Sequence, residues 1–121
     1  TERIFEKLKA DVQSHGAKLV VFDVPPIEEV SLQYMKDVAA KVEHPEKLCL
    51  EQAPSQSRLS TMLNKLHIDF IPLLSDFRKV TRQDGIQLYH ADDLHWNPKG
   101  HALAARLVVS ELIRRGLLPQ P

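Results

Sequence analysis

Residues 16–26 read "GAKLVVFDVPP", and the apolar run inside them decides the fold class. Leu19, Val20, Val21 and Phe22 follow one another without a polar break. A continuous β-favouring run of this length suits a strand covered on both faces, as in a parallel sheet. Pro25 and Pro26 end it, because proline cannot donate to a strand ladder. Upstream, "ERIFEKLKADVQSHGAK" predicts a helix in which Ile4, Leu8 and Val12, with Phe5, form an apolar stripe. Gly16 suits its C-terminal cap.

Downstream, "IEEVSLQYMKDVAAKV" (27–42) predicts one helix, with Val30, Tyr34, Val38 and Val42 four apart. Glu28 and Glu29 read as its solvated first turn. "PEKLCLEQAP" (45–54) fits either a brief strand or an irregular passage. "SQSRLSTMLNKLH" (55–67) predicts a further helix and "IDFIPLL" (68–74) a second strand. "SDFRKVTRQDG" (75–85) predicts a short helix or turn capped by Ser75 or Asp76. The last helix has the clearest boundaries. Asn97 is a good N-cap, Pro98 takes the first helical position and Gly116 closes it. Strands alternating with helices predict an α/β layer with parallel strands. Two or three strands make a thin sheet, since a doubly wound domain has about five or more. The expected fold is therefore the C-terminal portion of a doubly wound, flavodoxin-like three-layer parallel sheet. A chain so built exposes a strand edge and apolar helix faces. It should associate with itself or with a missing N-terminal half, or be poorly folded.

Sixteen basic and sixteen acidic side chains cancel in the 121 residues. A neutral chain without a basic run has no electrostatic reason to seek nucleic acid or an anionic membrane. Its apolar runs are too short for a membrane span, and no signal-peptide pattern opens it. Cys49 is the only cysteine; it reads as a buried small hydrophobe and excludes an internal disulfide. No cofactor motif is present.

Chemistry-bearing residues crowd into "HADDLHWNPKGH" (90–101). This run lies on the loop before the last helix, where the active groups of open α/β sheets gather. An aspartate three residues before a histidine can turn its carboxylate onto the imidazole Nδ1–H. It then fixes the tautomer and stabilises the imidazolium. Asp92 and His95 have that spacing. Simpler roles exist: the carboxylates could favour a helix N-terminus, and His95 could be a half-buried histidine. Trp96 reads as packing for the loop and His101 as a packing or hydrogen-bonding residue. His90, Asp92, His95 and His101 match no familiar metal-ligand spacing. Asp23 reads as a strand-end turn residue that could face the site.

"DDLHWNPKGHALAARL" (92–107) resembles the last conserved block of the SGNH, or GDSL-type, hydrolases. That block reads Asp-x-x-His and continues through Asn and Gly-His into a long helix. "GAKLVVFDVPP" is similar to the family's fourth strand, and "LNKLHIDFIPLLSDF" (63–77) to the segment before the final block. The resemblance covers nearly the whole chain and implies that residues 1–121 are the C-terminal part of one SGNH-hydrolase-like domain. It implies His95 as general base and Asp92 as orienter, with Asp93 as the alternative because some related sequences use Asp-x-His. The family's Gly-Asp-Ser nucleophile block and its oxyanion blocks are absent. Ser14, Ser31, Ser55, Ser57, Ser60, Ser75 and Ser110 all lack the motif, and no Gly-x-Ser-x-Gly elbow appears. The implied function is a serine esterase or acyl hydrolase, with this chain supplying the Asp–His pair and inactive alone. Acetylated carbohydrate, lipid esters and small acyl esters are the candidate substrates. An O-acyltransferase using the same triad on a sugar acceptor, or a non-catalytic interaction domain, are the alternatives.

Overall fold

A computed structural model describes residues 1–48 and 52–118; Cys49 lies outside them. The chain runs α1 (Glu2–Ser14), β1 (Val20–Phe22), α2 (Ile27–Val30), α3 (Leu32–Ala39), a 3₁₀ turn (Pro45–Lys47), α4 (Pro54–Lys65), β2 (Asp69–Ile71), α5 (Leu74–Arg82) and α6 (Pro98–Arg114). Both expected strands form and pair in parallel, Val20 opposite Asp69, Val21 opposite Phe70 and Phe22 opposite Ile71. No helix among the described residues is long and apolar enough to cross a membrane.

The doubly wound, three-layer sheet is not what this chain forms. The sheet has two strands of three residues each among the described residues, and helices dominate. The run at 19–22 is not covered on both faces either. Val20 and Val21 are half-buried and Phe22 is 44 % exposed. An apolar run reports what a strand could bury, and here the described residues leave Phe22 without a layer over it.

The core gathers instead where α2, α5 and α6 meet the sheet. Val30, Leu73, Phe77 and Leu88 are fully buried there. Ile71, Leu74, Tyr89, Leu103 and Ala104 join them, and Val20, Leu107, Val108 and Leu112 pack around the margin. Arg115 Nη2 donates to the Phe70 carbonyl at 2.9 Å, tying the end of α6 to β2.

The single helix expected over 27–42 is broken at Ser31, whose extended backbone separates α2 from α3. Its hydroxyl accepts the Tyr34 N–H at 3.2 Å, capping α3. Glu29, expected in solvent, is buried. Its Oε1 accepts the Ser55 hydroxyl at 2.6 Å and the Ser55 N–H at 3.3 Å. This caps α4 from another helix, since Ala53 at the N-cap has no side-chain acceptor. Neither Ser75 nor Asp76 caps α5; its N-cap is Leu73, whose N–H donates to Asp23 Oδ1 at 2.6 Å. In α1, Phe5 and Val12 are half-buried while Ile4 and Leu8 stay exposed, so the expected stripe is split.

Candidate active site

The loop singled out by sequence is held by a short antiparallel ribbon. Tyr89 bridges Trp96. The His90 N–H donates to the His95 carbonyl at 2.8 Å, and the Asn97 N–H to the Leu88 carbonyl at 3.0 Å. Residues 91–94 make the reversal. Leu94 adopts a left-handed backbone, φ 63°, at a cost of roughly 1–2 kcal/mol for a residue with a Cβ.

The ribbon is fastened at both ends. The Tyr89 hydroxyl donates to the Pro25 carbonyl at 2.7 Å, tying the loop to the segment leaving β1. Burial pushes that hydroxyl's pKa up. Asn97 fastens the other end. Its Oδ1 accepts the N–H groups of Lys99 and Gly100 at 2.9 and 3.1 Å, capping α6. Its Nδ2 donates to the carbonyls of Gln87 and Tyr89 at 2.9 and 3.2 Å. Gly100 lets α6 come this close, because a Cβ there would run into the Leu88 carbonyl oxygen.

Within this frame Asp93 meets His95. Asp93 Oδ1 accepts the His95 N–H at 3.0 Å, an aspartate turn closed on its own backbone. Its Oδ2 lies 3.4 Å from His95 Nδ1. The His95 N–H, with the nearby His95 and His90 rings, holds the Asp93 carboxyl below its usual range. Both side chains are open to water, His95 81 % and Asp93 58 % exposed. Asp92 is exposed on the turn, with no hydrogen bond or ion pair to His95. A carboxylate beside Nδ1 leaves Nε2 as the proton acceptor, the arrangement a general base requires.

The neighbouring residues have packing roles. Trp96 lies against Phe77 with ring centroids 4.9 Å apart. His101 meets the Trp96 ring edge-on at 5.6 Å. His90 is exposed and joins the ribbon through its backbone. Among the described residues, no three His, Cys, Asp or Glu side chains are grouped to hold a metal ion, and no serine hydroxyl is hydrogen-bonded to His95. Asp23 is not brought to His95. It is buried, with Oδ1 on the Leu73 N–H and Oδ2 accepting from Gln56 Nε2 at 2.9 Å. Sequence reading missed the hydrogen bonds from Ser55 to the buried Glu29. The absence of any capping side chain at Ala53 was the one signal that α4 needed a distant acceptor.

A family model described as "SGNH hydrolase-like domain, acetyltransferase AlgX" matches residues 1–120. No curated protein matches the chain, and no solved structure does.

Proposed function

The chain belongs to the SGNH hydrolase-like domain family, and from that premise we propose that His95 is the general base of a serine-dependent acyl transfer, oriented by Asp93. The supporting observation is the loop geometry: a carboxylate oxygen 3.4 Å from Nδ1 of an exposed imidazole. The same geometry favours Asp93 over Asp92 as orienter. His95 Nε2 takes the proton of a serine hydroxyl as its oxygen bonds to the ester carbonyl carbon. The imidazolium then gives that proton to the departing alkoxide, leaving an acyl-serine. Water, or the hydroxyl of an acceptor, takes the acyl group in a second round of the same proton transfers. The family's description as an acetyltransferase favours an acetyl group and an acceptor hydroxyl; acetylated carbohydrate, lipid esters and small acyl esters are the donors to try. The serine is supplied from outside the loop described here.

The test is a serine-directed fluorophosphonate probe on the full-length gene product, with acetyl-ester turnover measured alongside. Labelling and turnover should both occur, and both should be lost in His95→Ala. Asp93→Asn should lower kcat/KM by about 10²–10⁴-fold, while Asp92→Asn stays near wild type. A larger loss in Asp92→Asn transfers the orienting role to Asp92. Absence of labelling and turnover in the full-length protein defeats the enzyme reading and leaves a non-catalytic interaction domain.

A further inference from the structure

The turn that carries Asp93 and His95 is not itself bonded to the rest of the fold. Among the described residues, positions 91–94 make no hydrogen bond outside the loop, and the side-chain bond within it runs from the His95 N–H to Asp93. His95 is therefore placed by the ribbon on which the turn stands. Successive side chains of a ribbon face opposite ways. Tyr89 and Trp96, opposite each other in the bridge, face the core, and Tyr89 is buried. His90 and His95 face water. Whatever fixes the inner face thus sets where the imidazole stands on the outer one.

We propose that Tyr89 is a positioning residue: its hydroxyl, by donating to the Pro25 carbonyl, sets how far His95 stands from the carboxyl end of β1. The proposal rests on the reading of His95 as the general base. Among the described residues, this bond alone joins the loop to the segment leaving β1. The other fastenings act elsewhere. Trp96 on Phe77 is a contact between apolar rings, with no direction comparable to a hydrogen bond. The Asn97 amide bonds stay within the ribbon and the start of α6. The acceptor is a fixed post. Pro25 is fully buried, and two successive proline rings hold φ at 25 and 26. Asp23, two residues earlier, is held by the Leu73 N–H and the Gln56 amide. The Pro25 carbonyl takes no other donor among the described residues, so removing the hydroxyl leaves a buried acceptor unpaired. The donor is constant too. Burial pushes the Tyr89 pKa up, and the hydroxyl keeps its proton across the range in which an imidazole serves as a base. In open parallel sheets the reacting groups meet at the carboxyl ends of the strands. A bond between that end and the His95 ribbon therefore acts on the reach of the base rather than on its chemistry.

Two measurements on the full-length gene product test this, acetyl-ester kinetics and amide hydrogen exchange. Tyr89→Phe keeps the ring beside Phe77 and removes only the hydroxyl. It should lower kcat by about 10–10²-fold, the loss expected of a base displaced by about 1 Å, with KM within about twofold of wild type. Exchange at residues 90–96 should rise more than at Leu103 and Ala104 in the core of α6. Replacing Tyr89 by para-aminophenylalanine, whose N–H can reach the same carbonyl, should recover most of the lost kcat. A Tyr89→Phe variant with wild-type kcat overturns the proposal. So does a fall in kcat with exchange raised equally in loop and core, or one that the amino analogue does not recover, since the hydroxyl then serves stability alone. A change confined to KM overturns it as well, by placing Tyr89 against substrate. Absence of turnover in the wild-type protein defeats the acyl-transfer reading and leaves the anchor to the exchange data. A rise confined to residues 90–96 in Tyr89→Phe then upholds the anchor, and no such rise overturns it.

Discussion

Asp23 keeps a carboxylate where water scarcely reaches, so its two hydrogen bonds must do what solvent does elsewhere. Burial raises its pKa above the ordinary 3.8; the Leu73 N–H and the Gln56 amide pull it back, and the charge of Glu29 adds to the rise. The folded chain therefore holds the Asp23 proton more tightly than the unfolded chain. Its contribution to stability is full below the unfolded pKa and is lost as pH rises through the higher folded value. Asparagine can keep the bond to Leu73 N–H and, with the Gln56 amide turned over, the bond to Gln56. Asp23→Asn should thus unfold at equal or higher denaturant at pH 7. It should also remove part of the decline in stability as pH rises above the ordinary carboxylate value; urea titrations at several pH values check both. A variant less stable than wild type at pH 7 would mean that the charge itself is needed. At the candidate-site loop, sequence spacing led to Asp92 first and Asp93 second; in the fold it is Asp93 that lies against His95. The reason is local: the left-handed backbone at Leu94 folds Asp93 onto His95. Residue spacing cannot reveal one positive φ at a leucine, because leucine has no preference for it.

Helix boundaries were legible where their signals are local and hidden where they are not. α6 begins at Asn97 and Pro98 and ends just before Gly116, as read, because its cap is made by its own N-terminal residues. α4 and α5 are different, since Glu29 and Asp23 supply their acceptors from distant chain positions. α2 in turn has its last carbonyls satisfied by α5. Arg78 Nε donates to the Glu29 carbonyl at 2.7 Å and Arg82 Nε to the Val30 carbonyl at 2.8 Å. Three helices are thus joined at one residue. Glu29→Ala removes the α4 cap that Ser55 finds in the buried Glu29 carboxylate, at about 0.5–2 kcal/mol. Ser55→Ala in the Glu29→Ala background should cost less than Ser55→Ala alone, because the two share one interaction; a double-mutant cycle by chemical denaturation measures this. The start of α6 has its own sensitive point. Gly100→Ala puts a methyl group against the Leu88 carbonyl, which belongs to backbone and cannot turn aside. A loss of about 1–3 kcal/mol is expected, with the ribbon that carries His95 displaced. Thermal unfolding, together with the His95 ring resonances, reports both.

At the scale of the molecule, the order of elements was readable and their assembly was not. Alternating strands and helices led correctly to a parallel pair, yet they also suggested a many-layered sheet that two short strands do not make. Chain order carries the type of each element. The number of neighbours available to cover it depends on contacts distant in sequence. What replaces the sheet as organiser is the junction of α2, α5 and α6, with Phe77 at its centre. Phe77 is fully buried, and its ring lies 6.3 Å from Tyr89 and 4.9 Å from Trp96. Those two residues form the bridge that holds the His95 loop, so the core and the candidate site rest on one side chain. Phe77→Ala should cost about 3–5 kcal/mol, a large share of the ~5–15 kcal/mol that holds a domain of this size. Phe77→Leu keeps most of the apolar volume and should cost less. It nevertheless loses the ring contacts with Tyr89 and Trp96, worth about 0.5–1.5 kcal/mol beyond burial. The leucine variant therefore separates two effects. If the core alone positions the loop, amide exchange at residues 88–97 should rise only as far as global stability falls. If the aromatic contacts hold the ribbon directly, exchange there should rise more than in the core of α6, and hydrogen exchange across both segments decides between them.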